Sequence, residues 1–205
     1  MNHTTSTFQK NPNPQGKGMV PVLRDWDMLQ PTSPSTKSPG TFLRDYCVSS
    51  LILAAHFRFK PVVGQDYFLY ASEQGWSLSL IAPHEWGSRR SGQFVARCCL
   101  RTDMTWHLDT TGIDEHSPAA AMAQTFIHRF FDTLAAQASV SASLPFYLSE
   151  LPYYQRLLAT AMAASLQRSM PPTGDDMSAL LRAHPPMVAV EWKAAGESGA
   201  VDRAK

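Results

Sequence analysis

The chain has 205 residues, a length that suits one domain with flexible ends. Its 44% hydrophobic content is enough to build a core, which sets aside a wholly disordered chain. A formal net charge of +1 provides no global attraction to nucleic acid or to an anionic membrane, so any such contact must come from a local patch.

Residues 1–40 carry Pro12, Pro14, Pro21, Pro31, Pro34 and Pro39 among many Ser, Thr, Asn and Gly residues. Such a segment buries too little apolar surface to offset its ordering entropy, so a largely disordered leader is expected. One apolar island within it, Met19, Val20, Val22, Leu23, Trp26, Met28 and Leu29, is expected to dock on the domain. Residues 1–15 hold no apolar run, so no secretory signal is expected.

A single α+β domain is expected over 41–170. Thr41 is the expected N-cap of a first helix, with Leu43, Cys47, Leu51 and Ala54 at helical spacing. Lys60-Pro61 is the expected stop, because a residue before proline leaves the α region. The period then changes to two. Residues 66–70 and 76–81 read as strands joined at Gly75, with Trp76, Leu78 and Leu80 on one face. Ala82-Pro83-His84-Glu85-Trp86-Gly87 breaks the pattern and reads as a short helical turn closed by Gly87.

Residues 93–100 alternate again, with Phe94, Ala96, Cys98 and Leu100 expected inward. Asp103-Met104 is an expected turn before a last strand at 105–108. Short links between successive strands predict a small antiparallel β-meander of three to four strands. Ser117-Pro118 is a strong helix start, followed by Met122, Phe126, Phe130 and Leu134, widened by Ile127 and Phe131. Ser149-Glu150-Leu151-Pro152 starts another helix, with Tyr154, Leu158, Met162 and Leu166 on its buried stripe. About three α-helices thus pack against the sheet. Residues 171–205 hold two Pro-Pro pairs and are expected to be a mostly disordered tail.

Motifs of catalysis are missing. His84-Glu85 lacks the second histidine four residues on that a zinc protease needs, since Ser88 stands there. Completion by His107 or Cys98 would still require three or four converging ligands, and no metal or other cofactor is expected. No Gly-x-Ser-x-Gly elbow occurs. Three cysteines, Cys47, Cys98 and Cys99, make no disulfide framework, and a reducing cytoplasm is the expected location. Alternation puts Cys98 and Cys99 on opposite faces, with Cys99 the more accessible. The longest apolar run, residues 51–55, is too short to span a bilayer. The Ser88-Arg89-Arg90-Ser91-Gly92 loop is suited to a phosphate, and Tyr67, Phe68, Tyr70 and Trp76 lie on the neighbouring sheet.

Three pieces carry a resemblance. They are Tyr67-Phe68-Leu69-Tyr70, then residues 78–87 ending in Pro83-His84-Glu85-Trp86-Gly87, then Asp103-Met104-Thr105-Trp106. In this order and spacing, residues 42–108 resemble the domain of unknown function 2452 family. The resemblance implies no activity. It puts the weight on Pro83, Glu85, Trp86, Gly87, Asp103 and Trp106, with Glu85 and Asp103 accepting backbone hydrogen bonds and the tryptophans filling a sheet face.

The expected function is that of a non-catalytic binding or adaptor module for a protein partner. Its candidate residues are Tyr70, Glu85, Trp86, Arg89, Arg90, Asp103 and Trp106. Trp86 and Trp106 are expected at one end of the sheet. An RNA-associated protein using Arg89, Arg90 and the sheet aromatics is the alternative. An enzyme of unrecognised type, with Glu85, Asp103 and His107 as acid–base groups, is the third reading.

Overall fold

The computed structural model describes residues 27, 29–32, 34–87, 92–111, 114, 116–146 and 148–184. Among the described residues, four strands and five helices follow one another in an α+β arrangement: α1 (Pro39–Leu53), β1 (Asp66–Ser72), β2 (Gly75–Ser79), β3 (Gln93–Leu100), β4 (Trp106–Asp109), α2 (Pro118–Ala135), α3 (Val140–Ser143), α4 (Tyr153–Arg168) and α5 (Met177–Ala183). α3 is a single turn. One core unites the helices with the inner face of the sheet, through Leu69, Ala96, Cys98, Leu100 and Trp106.

The helix ends follow local chemistry. α1 begins two residues before the expected Thr41, because the Ser38 hydroxyl accepts from the Thr41 amide and Pro39 fits the first turn. It stops at Leu53, well short of Lys60-Pro61. There the Gln155 side-chain amide donates to the Leu53 and Ala55 carbonyls at 3.3 and 2.6 Å, which satisfies orphan acceptors at the helix end. α2 starts as expected, with the Ser117 hydroxyl accepting from the Ala120 amide at 3.1 Å. Its buried stripe is Ala123, Ile127, Phe131 and Leu134, while Met122, Phe126 and Phe130 lie half-buried beside it.

All strand pairs are antiparallel, but the order is β2-β1-β3-β4 rather than that of a simple meander. β2 and β3 both flank β1, so they run the same way. Their connection must therefore travel the length of the sheet and pass across β1. That crossing is possible because β2 stops at Ser79, leaving Leu80 outside the strand and 48% exposed rather than inward.

A second departure lies in β3. Tyr70 pairs with Phe94 but Leu69 pairs with Ala96, so Val95 is an extra, unpaired residue. This bulge reverses the alternation. Ala96, Cys98 and Leu100 point inward as expected, whereas Phe94 turns to the outer face with Tyr70.

The fold extends beyond 41–170 on both sides. Leu29 is buried in the core, the Thr32 amide donates to the Thr102 carbonyl, and the Lys37 amide donates to Ser169. Of the apolar island, Leu29 therefore docks as expected; Met19, Val20, Val22, Leu23, Trp26 and Met28 lie outside the described residues. Beyond 170, the Asp176 carboxylate caps α5, whose Met177 and Leu180 are core residues. The apolar group at 187–192 lies outside the described residues.

Candidate functional site

The outer face of the sheet carries side chains that the core does not use. Phe68, Tyr70, Phe94 and Trp86 all lie outside the core cluster. Phe68 and Phe94 stand 6.3 Å apart, Phe94 and Tyr70 5.8 Å, and Tyr70 meets the Trp86 ring edge-on at 6.1 Å. The crossing connection is pinned there by its own bonds. The Tyr70 hydroxyl donates to the Ile81 carbonyl at 2.8 Å, and Glu85 accepts from the Ala82 amide at 2.7 Å. Leu80 and Ile81 are left 48% and 40% exposed beside it.

Two carboxylates flank one guanidinium on this face. Arg97, opposite Phe68, bonds Asp109 at 2.8 Å and lies 3.5 Å from Asp66. The Asp109 hydrogen bond raises the Arg97 pKa further. Hydrogen bonds from Thr111, aided by Arg97, bring the Asp109 carboxyl down to about 2. Cys99 is half-buried, across from His107 on β4. Cys98 faces the core, where burial raises its thiol pKa, and burial pushes Cys47 up to about 12. Both thiols are held in the unreactive protonated form.

A separate ionic cluster ties the start of the fold to the β3–β4 turn. Asp45 of α1 is 1% exposed. It accepts from Lys37 at 2.7 Å and from Arg101 at 3.0 Å. Lys37 also donates to Asp103 at 2.8 Å. Burial works to raise the Asp103 pKa, but Lys37 and the Thr105 hydroxyl and amide outweigh it, and the carboxyl lies below its ordinary value. Arg101 also reaches His107 Nδ1 at 3.2 Å. Burial first, then Arg101, lowers the His107 pKa. A carboxylate on the buried side of a helix must be paired, and two cations do this for Asp45.

The structure separates residues that the sequence reading brought together. Trp106 is on the inner face, 2% exposed and edge-on to Tyr67 at 5.7 Å. Trp86 is on the outer face, so the two indoles do not meet at one end of the sheet. Even β4 pairing places Trp106 opposite the core residue Leu100. Glu85 caps its own turn, while Asp103 and His107 belong to the ionic cluster, so the three form no acid–base group. Arg89 and Arg90 lie outside the described residues. Asp45, Lys37 and Phe94 were missed. For Asp45 the signal was present: a lone carboxylate among Leu43, Tyr46, Cys47 and Val48. For Phe94 no period-two pattern could show a bulge.

Among the described residues, no group of three or more His, Cys, Asp or Glu side chains is placed to hold a metal ion, and no helix is long and apolar enough to cross a membrane. What the described residues define is an α+β domain with one helix-covered sheet face and, among those residues, a second face crossed by the β2–β3 connection. Residues 41–129 match the family model described as protein of unknown function (DUF2452), which bears out the resemblance and carries it on into α2. Neither a curated protein nor a solved structure matches the chain.

Proposed function

We propose that the chain is a non-catalytic binding module that engages a protein partner through the outer face of its sheet. The observation that carries this reading is the composition of that face: half-buried Phe68 and Phe94 at the centre, exposed Leu80 and Ile81 beside them, and an ion-paired polar rim of Asp66, Arg97 and Asp109. An apolar centre with a polar rim is the anatomy of protein interfaces. Its three free cysteines, two of them buried, suit a reducing cytoplasm.

RNA is the second reading. Two neighbouring phenylalanines on a four-stranded antiparallel sheet are the kind of platform on which bases stack. Arg97 weakens it, because its charge is already matched by two carboxylates. That reading therefore rests on Arg89 and Arg90.

The test is capture from nuclease-treated native lysate with the wild type and Phe68→Asp. The expected result is a stoichiometric partner that survives nuclease and is lost with Phe68→Asp, at an unchanged urea midpoint. Capture unaffected by the substitution, or abolished by nuclease alone, overturns the protein-partner reading. Direct single-stranded RNA binding that is lost in Arg89→Ala with Arg90→Ala would establish the second.

A further inference from the structure

A different surface, away from the outer sheet face, is incompletely covered. The C-terminal half of α1 and the 145–151 segment line an open groove of about 230 Å³. Tyr46, Leu53, Ala54, Pro145, Leu148 and Leu151 line it, with Ser50 as the one aliphatic hydroxyl. The Tyr46 hydroxyl donates to the Ser143 carbonyl, so the ring presents its apolar side to the cavity rather than an unpaired polar group. Leu148 in its lining is 36% exposed, and Phe146, next in the chain to the lining residue Pro145, is 37% exposed. An apolar groove with exposed apolar lips calls for an apolar occupant.

The sequence after His184 supplies one. Pro185-Pro186 is followed by Met187-Val188-Ala189-Val190-Glu191-Trp192. In extended conformation Val188, Val190 and Trp192 share one side. The chain leaves the described fold at the right place. The His184 ring lies 2.9 Å from where a Cβ would stand on Gly40, in the first turn of α1. From Gly40 to Ala54 the helix rises about 21 Å, at 1.5 Å per residue. An extended chain from His184 to Trp192 spans roughly 26 Å. The side of approach also fits. α5 begins against the α3 region, where the Val140 amide donates to Asp175 and Ser141 to the Asp175 carboxylate. Toward the other end of the described fold, the Thr32 amide donates to the Thr102 carbonyl of the β3–β4 turn.

We infer that the segment Met187–Trp192 docks in the groove between α1 and residues 145–151, with Val188, Val190 and Trp192 against Leu53, Leu148 and Leu151. Docking there covers the exposed lips and makes the C-terminal segment an intramolecular ligand, which a partner can displace only by competing for the same groove.

The test is disulfide trapping in the full chain. In a Cys99→Ser background, Leu148→Cys is combined with Val190→Cys and oxidised at low protein concentration. An intramolecular disulfide is expected, with a yield at least about five-fold above that of a Thr133→Cys, Val190→Cys control on exposed α2, because docking raises the local concentration of one thiol at the other. Equal yields in the two pairs mean mere collision and overturn the inference. Disulfide-linked dimers overturn it in favour of a second copy, and preferential trapping of Leu148→Cys by Val22→Cys overturns it in favour of the leader. A second reading avoids the added cysteines: Trp192→Ala should speed amide exchange across 145–151, and unchanged exchange there also overturns it.

Discussion

Replacing Trp106 and Trp86 in turn distinguishes a core residue from a surface one within the same family segment. Trp106 is 2% exposed and packs on Tyr67 in the core. A buried tryptophan removes about 150–250 Å² from water, and Trp→Ala truncations in cores cost about 3–5 kcal/mol. Trp86 is half-buried and its described ring contact is with Tyr70. By buried area its removal should cost about 1–2 kcal/mol. Urea unfolding followed by far-ultraviolet circular dichroism reads both without relying on tryptophan emission. With a slope of about 1–3 kcal/mol per molar, Trp106→Ala should lower the midpoint by more than about 1 M, and Trp86→Ala by less than half of that. Where Trp106→Ala leaves too little folded protein, Trp106→Phe should give an intermediate shift. Equal shifts, or a larger one for Trp86→Ala, would refute the assignment of the two indoles to opposite faces.

Asp45→Ala leaves Lys37 and Arg101 without their shared carboxylate and should cost about 3–5 kcal/mol by urea melt. In the wild type, Lys37 should resist limited trypsin digestion, since its side chain is 10% exposed, and the same substitution should open it to cleavage. Stability should fall with acidification in two stages. His107 has a lowered pKa in the fold, so its contribution is constant above about pH 6.5 and declines as pH falls below that value, where the unfolded chain takes up the proton first. Asp103 and Asp109 are also lowered, Asp109 to about 2, so their stabilisation is full above about pH 4 and is lost as pH falls toward 2. Thermal melts of His107→Gln should lack the upper stage and keep the lower one.

Local chemistry made much of the fold legible from the sequence. Ser117-Pro118 starts α2 because a side-chain cap and a preset proline φ act within four residues. The strands expected at 66–70 and 93–100 are present as β1 and β3, because aromatic content and side-chain alternation are themselves local. Glu85 and Asp103 accept the backbone hydrogen bonds that their turn positions imply. Tertiary structure decided the rest, because each remaining point depends on something far away in the chain. The strand order is set by which neighbours pair, and a loop crossing β1 was not encoded in any one strand. The face of Phe94 depends on one extra residue, Val95, whose insertion is visible only against the partner strand. Asp45 could be seen as an anomaly in an apolar helix, but its cations come from 8 and 56 residues away. Trp86 and Trp106 looked alike beside their turns; the sheet pleat and the crossing connection sent one to the surface and the other to the core.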